Sequence, residues 1–353
     1  MDSSNEPPSA RRTVAVLCTE DERDLPSEDN TSAARDVASA LRILGHVVTV
    51  VPMRRPPPAL RCDAVFNLCE GIDGDAGLEP LVAAWLELLG LPYTGNGPEA
   101  LFRAFDKALV PGPTAPRFVA TNAFFRRRVR FPAIVKPRFA DASLGIDRRS
   151  VVRTVEELRA RVAEVNARFG DAIVEEYVEG REFNVAILDG AALAVSEIDF
   201  TRLPADCPRI VTYAGKWEES SAEYRGTVPI CPAEAPPEVA ETALAAAREL
   251  GCRGYARVDF RMDERGGLFV LEVNPNPDLS RGAGMARCAA AAGVPYEELI
   301  GRILDHAIRE CETRNPSRGR GDGALLRRLY GEGDLRLSRD RGRRARRTGA
   351  AGL

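Results

Sequence analysis

The sequence predicts an α/β protein with a parallel, doubly wound first domain followed by two α+β units. Three observations predict it. Strands and helices alternate through the first 115 residues, a second stretch sets one long helix among short apolar runs, and a third pairs two strands around Gly266-Gly267. In the first domain, residues 13–115, the apolar run from Thr13 to Cys18 reads as a buried strand. A helical pattern follows from Ser32 to Leu44, and Val47 to Val51 and Ala64 to Leu68 read as further strands. Leu78, Leu81, Val82, Trp85 and Leu89 then recur at the spacing of one helix face. Residues 1–12 are polar, contain proline and read as disordered.

The central unit, residues 116–202, begins with a strand from Phe131 to Lys136. Its helix opens at Thr154-x-x-Glu157, a capping-box pattern, and carries Val155, Leu158, Val162, Val165 and Phe169 at helical spacing. Ala172 to Tyr177, Phe183 to Leu188 and Ala191 to Ile198 read as strands joined by short turns. The third unit, residues 203–312, has a helix started by Pro236-Pro237, the two strands around Gly266-Gly267, and two closing helices. Residues 313–353 are rich in arginine and glycine and poor in large apolar side chains, so they lack the surface to fold and read as a disordered tail.

Composition narrows the function. A net charge of −3 argues against a nucleic-acid binder, and no long apolar run spans a membrane. The N-terminus has no apolar segment of a signal peptide, which places the chain in the cytoplasm. The eight cysteines form no C-x-x-C pair, so zinc and redox readings have little support. His46 and His306 neighbour no plausible partner, which argues against histidine triads and histidine-ligated metals. Of the 49 basic residues only Lys107, Lys136 and Lys216 are lysine. An ammonium is a compact cation suited to a point contact with phosphate, and arginine does not replace it there.

Three stretches carry further chemistry. With a four-residue hairpin loop at Glu264-Arg265-Gly266-Gly267, Asp259 lies opposite Glu272 and Arg257 opposite Asn274. Two opposed carboxylates repel unless a cation sits between them, and two carboxylates with an amide oxygen suit magnesium. Lys136-Pro137 leads into Phe139-Ala140-Asp141-Ala142-Ser143-Leu144-Gly145, a small-residue loop able to fold over phosphate, although no Walker sequence occurs. Gly95-Asn96-Gly97-Pro98-Glu99-Ala100 fits a dinucleotide pattern, but it closes the first domain rather than opening a βαβ unit and reads as a turn.

The order of these motifs resembles the D-alanine–D-alanine ligase-like family of the ATP-grasp superfamily. Glu87-Leu88-Leu89-Gly90-Leu91-Pro92-Tyr93-Thr94-Gly95 with Asp106-Lys107, then Ile134-Val135-Lys136-Pro137, then Glu175-Glu176-Tyr177-Val178-Glu179-Gly180-Arg181-Glu182 follow the family's sequence of segments. Lys216, Arg257-x-Asp259 and Glu272-Val273-Asn274-x-x-Pro277 complete it, so the likeness runs over residues 13–310 and takes in all three lysines. The resemblance implies an ATP-grasp fold and an ATP-dependent carboxylate–amine ligase working through an acyl phosphate. It assigns Lys107, Lys136, Ser143 and Lys216 to the ATP phosphates, Glu175, Glu176 and Val178 to adenine, and Glu182 to ribose. Asp259, Glu272 and Asn274 would hold two magnesium ions, for which manganese could substitute, and Arg257 with Lys216 would be catalytic.

Every departure from the family falls on the amino-acid side. Glu70-Gly71 stands where the family has His-Gly, Asp141-Ala142-Ser143 replaces its Gly-Ser-Ser loop, Trp217 replaces a tyrosine, and Ala283 replaces a serine. Glu70, Asp278 and Arg281 are the candidate substrate residues, with Arg287 a further candidate for an acceptor carboxylate. The expected partners are therefore small amino acids or peptides of altered identity, with no nucleic acid or membrane, and a homodimer is open. Two alternatives stay beside this reading: an inactive nucleotide-binding regulatory module, and the plain D-alanine–D-alanine ligase of cell-wall synthesis.

Overall fold

The computed structural model describes residues 10–19, 27–55, 57–122 and 128–314. The expected disordered N-terminus, beyond its last three residues, and the tail from residue 315 lie outside the described residues. The described residues up to Arg309 gather into one compact unit built on three sheets.

The first sheet is parallel. Strand β1 (Thr13–Thr19) lies between β2 (Val47–Met53) and β3 (Ala64–Leu68), with helix α1 (Ser27–Ile43) connecting β1 to β2. Alternation along β1 sends Val14 and Val16 to one face, with Val37 and Leu41 of α1, and Ala15 and Leu17 to the other. The second face is covered by α2 (Glu79–Leu89) through Val82, Ala83 and Leu86. The periodic pattern named Leu81 among the apolar positions of this helix, yet Leu81 is exposed. Gly90 ends the helix in the left-handed region at φ 64°. Helix α3 (Pro98–Phe105), which the sequence reading passed over as a turn, starts on proline after Gly97.

The second sheet is antiparallel in the order β4-β7-β5-β6, formed by β4 (Arg117–Ala120), β5 (Ala133–Pro137), β6 (Val151–Val152) and β7 (Ala172–Glu176). Helix α4 (Val155–Phe169) covers it with Leu158, Val162 and Val165. Thr154 caps this helix by accepting the Glu157 amide at 3.1 Å. The return bond of the expected capping box goes instead from the Arg153 amide to Glu157, at 2.6 Å.

The third sheet corrects the expected central unit. Strands β8 (Arg181–Leu188) and β9 (Ala191–Asp199) were grouped with β5 and β7, but they pair with β11 (Tyr255–Met262) and β10 (Val228–Ile230). Short turns join β8 to β9, so sequence locality cannot tell which sheet the hairpin joins; burial of Phe183 and Val185 against α7 (Pro237–Leu250) decides it. Short helices α5 (Tyr213–Trp217) and α6 (Ala222–Gly226) precede β10, and β12 (Leu268–Asn274) completes the order β10-β9-β8-β11-β12. Helices α8 (Gly284–Ala291) and α9 (Tyr296–Arg314) follow; Met285 and Cys288 of α8 and Leu299 and Ile303 of α9 join the core under α1 and β1. Among the described residues no helix is long and apolar enough to cross a membrane.

Candidate active site

The hairpin of β11 and β12 sets the register of the site. Asp259 pairs with Glu272 and Arg257 with Asn274 as the sequence predicts, but not through a simple four-residue loop. Met262 pairs with Leu268, and a bulge between Asp259 and Phe260 restores the opposition nearer the site. Asp263 closes the loop by accepting the Gly267 amide at 2.7 Å.

Arg257 bridges the two opposed carboxylates. Its guanidinium meets both Asp259 oxygens at 2.8 Å and Glu272 Oε1 at 3.6 Å. Asn184 on β8 donates to Asp259 at 2.8 Å. Burial raises the Asp259 carboxyl above its ordinary range; Arg257 opposes this, and Glu272 adds to it. Glu272 behaves differently. Burial does push it up, but Lys107, Arg257, Lys216 and Lys136 together hold it down at about 2. Of the two opposed carboxylates only Asp259 is raised.

Each lysine comes from a different element. Lys107 opens the turn that Asp106 caps after α3, is 5 % exposed, and donates to the Ala140 carbonyl at 2.5 Å and to Asp141 at 3.2 Å. Burial lowers its pKa, but Asp141 and Glu272 outweigh that and the ammonium is held above its ordinary value. Lys136 on β5 pairs with Glu175 of β7 at 2.6 Å, both buried. The two lysine segments are locked together by a feature the sequence reading missed. Arg138, two residues after Lys136, grips Asp106, next to Lys107, through bonds of 2.7 and 2.6 Å. Lys216 on α5 reaches the cleft near the Trp217 ring; burial, then Arg257, lowers its pKa while Glu272 and Asp259 raise it.

The loop 139–145 lies over this cluster. Ala142 and Ser143 both sit at positive φ, 54° and 61°. Gly145 is required at φ 74°, because a Cβ there would come within 2.7 Å of Pro137 and 2.8 Å of Phe169. Ser143 Oγ donates to the Val211 carbonyl at 2.9 Å, and Trp217 Nε1 donates to the Ala142 carbonyl at 3.0 Å. The Trp217 departure thus ties α5 to the loop.

A cavity of about 820 Å³ gathers these groups. Of the residues singled out from the sequence, Lys107, Lys136, Ser143, Glu175, Glu176, Val178, Glu182, Lys216, Arg257, Asp259, Glu272 and Asp278 line it. Glu182 is buried against Arg261, 2.9 Å away. The Glu176 amide donates to Pro116 at 2.9 Å, so only its carbonyl could meet a base. Asn274, Glu70 and Arg281 do not line the cavity. Asn274 Oδ1 accepts the Asn276 amide at 2.9 Å, and the Glu70 amide donates to Thr19 at 3.0 Å. Arg281 is a correction: it pairs with Glu297 at 2.6 Å, stacks on Tyr296 and binds Asp36 through its backbone at 2.9 Å, away from the cleft. Arg287, on the first turn of α8, lines the cavity in its place.

The donor set fits a hard divalent cation. Asp259 and Glu272 offer carboxylate oxygens, and Asn274 retains a second lone pair on its amide oxygen. Among the described residues no three His, Cys, Asp or Glu converge as a metal site, so further oxygens must come from a ligand such as phosphate.

The geometry can now be compared with known proteins. Residues 118–305 match the family model described as D-ala D-ala ligase C-terminus. A D-alanine–D-alanine ligase of Anaeromyxobacter sp. is 34% identical over 287 residues, covering 76% of this chain and 89% of that protein. An uncharacterized protein, y4sG, of Sinorhizobium fredii is 33% identical over 305 residues, covering 78% of this chain and 87% of its own. In three dimensions the chain resembles the crystal structure of D-alanine–D-alanine ligase from Bacillus anthracis with a TM-score of 0.69 at 20% identity, covering 86% of this chain and 100% of that one. The chain therefore belongs to the D-alanine–D-alanine ligase-like family, and is an ATP-dependent ligase of ATP-grasp fold.

Proposed function

We propose that the chain joins the carboxylate of one amino acid or peptide to the amine of another through an acyl phosphate, with a substrate pair that differs from two D-alanines. The observation that carries the reading is the convergence of all three lysines of the chain with Arg257, Asp259 and Glu272 on one cavity. Arginine serves everywhere else, so this cavity is where a compact cation is needed.

In this reading the first substrate's carboxylate attacks the γ-phosphorus of ATP, giving the acyl phosphate and ADP. The amine of the second attacks the acyl carbon, and phosphate leaves as the peptide-like bond forms. Lys107, Lys136 and Lys216 hold the phosphates, and Arg257 stabilises the oxyanion of the tetrahedral intermediate. Arg257 must first loosen its grip on Asp259, which a cation between Asp259 and Glu272 would bring about. Two magnesium ions, replaceable by manganese, would neutralise charge on the transferring phosphoryl group. Glu175, Glu176 and Val178 flank adenine, with Glu182 on ribose. The loop 139–145 shields the acyl phosphate from water, held by Trp217 and Val211. A cytoplasmic site of action follows from the need for ATP.

At the acceptor end Ala283 offers no hydroxyl, and α8 begins there without a side-chain cap. With Arg281 tied elsewhere, Arg287, which also donates to the Gly282 carbonyl, is the one of the two candidate arginines that lines the cleft. The acceptor is therefore read as larger than D-alanine, its carboxylate reaching Arg287. The test is ADP release against single and paired amino acids, D and L, followed by turnover of the best carboxylate substrate labelled with ¹⁸O. One ¹⁸O should pass from the carboxylate to the released phosphate. ADP release without that transfer would reject the acyl phosphate, and no release with any pair would favour the regulatory module.

A further inference from the structure

Arg261 is among the most buried charged residues of the described protein, at 3 % exposed, and no step above uses it. It lies on β11 two residues past Asp259 and so on the same face of the sheet. Its guanidinium joins two separate segments, 180–182 and Arg209, at the Glu182 end of the cleft. One nitrogen donates to the Gly180 carbonyl at 3.0 Å, in the turn that carries the chain from β7 to β8. The other donates to the Arg209 carbonyl and pairs with Glu182 Oε2 at 2.9 Å. Phe200 stands beside its face at 5.2 Å and Tyr177 at 5.9 Å.

The turn is held equally hard from the other side. Gly180 sits at φ 148°, where a Cβ would come within 2.0 Å of the Met262 carbonyl, so the turn lies directly against the β11 backbone. The Glu182 carboxylate, buried beside it, has no other cationic partner within ion-pair distance among the described residues. One oxygen meets Arg261, which leaves Oε1 and the second lone pair of Oε2 to accept from a ligand. Two acceptor sites on one rigid carboxylate are what a vicinal pair of hydroxyls requires. A lysine at this position could neutralise Glu182 but could not reach two carbonyls and a carboxylate in one plane.

We propose that Arg261 is the positioning residue of the ribose subsite: it fixes the Glu182 carboxylate in the orientation that reads both ribose hydroxyls, and so makes the ligase selective for ribonucleotides. The inference rests on the reading of Glu182 as the ribose ligand. Selectivity then belongs to the pair, with Glu182 touching the sugar and Arg261 setting its aim.

The experiment is calorimetric binding of Mg·ADP, Mg·2′-deoxy-ADP and Mg·3′-deoxy-ADP to the full chain, which needs no knowledge of the amino-acid substrates. The wild-type protein should prefer ADP by at least about tenfold, the worth of one hydrogen bond to a charged group. Arg261→Met should weaken ADP and bring the three nucleotides to within about twofold of one another. Arg261→Lys should recover part of the affinity but not the preference, and it decides the matter if the methionine variant does not fold. A wild-type protein indifferent to the missing hydroxyls would overturn the reading of Glu182 and this inference with it. Loss of preference in Glu182→Gln with full preference kept in Arg261→Lys would overturn the inference alone.

Discussion

The two ends of the cleft are built differently. At the end read as the nucleotide site, charged groups are tied across elements: Lys136 to Glu175 between β5 and β7, Asp106 to Arg138 between α3 and the end of β5, and Glu182 to Arg261 between β8 and β11. At the end read as the acceptor site, the two positions nearest the family's acceptor contacts lie in local turns. Asp278 binds the amide and hydroxyl of Ser280, and Ala283 leaves the start of α8 without a side-chain cap. A residue held between two strands cannot change without disturbing both. A residue in its own turn can change while the fold stays intact. That contrast accounts for the departures at 278 and 283, whereas Trp217 and Asp141 depart and are still tied, to Ala142 and Lys107.

The sharpest way to break the comparison is to replace the lysines one at a time. Lys107→Arg, Lys136→Arg and Lys216→Arg should each lower turnover by about 10² or more, because the planar fork cannot reproduce a point contact. Stability should divide them. Lys136→Ala leaves Glu175 buried without its close partner and should cost roughly 3–5 kcal/mol in a denaturant titration. Lys216→Ala, whose ammonium faces the open cleft, should stay within about 0.5 kcal/mol. Equal stability losses at the two positions would mean that a lysine tied between strands stabilises the fold no more than an untied one.

Behind the acceptor end, Glu79 supplies a pH test. Asn276 donates to it at 2.8 Å and also to the Cys69 carbonyl at 3.2 Å. Burial, reinforced by Glu70 and opposed by the Asn276 bond, pushes the Glu79 carboxyl from its ordinary 4.5 up to about 8. The folded protein thus holds this proton more tightly than the unfolded chain. Its contribution to stability is full below pH 4.5 and is lost as the pH rises through 8. Within that window stability should fall by up to roughly 1.4 kcal/mol per pH unit, and Glu79→Gln should flatten the fall. An unchanged pH profile in the variant would place the carboxyl in better contact with water than the structure does.

How far the site was legible follows from the same contrast. The opposition of Asp259 and Glu272 could be read because strand alternation and a hairpin fix it within 14 residues of chain. The bulge that preserves it could not, since loop length alone does not say where a register shift falls. Arg138 and Arg261 escaped notice for another reason. Their partners, Asp106 and Glu182, lie 32 and 79 residues away, and 46 arginines give no ground for choosing two. The misplaced β8–β9 hairpin has the same origin: its strands were visible, but their partner β11 lies far along the chain. Arg281 lies close in sequence to Pro277 of the last motif, and only packing against Tyr296 and Glu297 shows that it turns away.

A smaller effect tests the metal. Mg·ATP at a hundredfold excess over its dissociation constant should stabilise the protein by about 2.7 kcal/mol, and ATP with a chelator by clearly less. Asp259→Asn should remove most of the difference between the two conditions, since it takes one buried carboxylate from the donor set. A thermal scan in which magnesium adds nothing to ATP would count against cation binding between the opposed carboxylates.

The smallest expected effect comes from Ala283→Ser, and it probes the untied end directly. Ala283 is the N-cap of α8, with extended backbone at φ −73° and ψ 165° and no side-chain bond to the first turn. Serine is a favoured residue at such a position, and its oxygen can accept an amide hydrogen bond there, so the variant should gain about 1 kcal/mol of stability. The same hydroxyl stands where the family carries serine, beside the cavity wall formed by Gly284 and Arg287. If an acceptor carboxylate comes to rest at the start of α8, the variant should also use D-alanine better, by less than about tenfold, because one hydroxyl cannot serve the helix and the ligand fully at once. A gain in stability with no change toward D-alanine would move the acceptor carboxylate away from α8 and leave Arg287 without its proposed task. A loss of stability would mean that the amides at the start of α8 are already satisfied, and that this end of the cleft is tied after all.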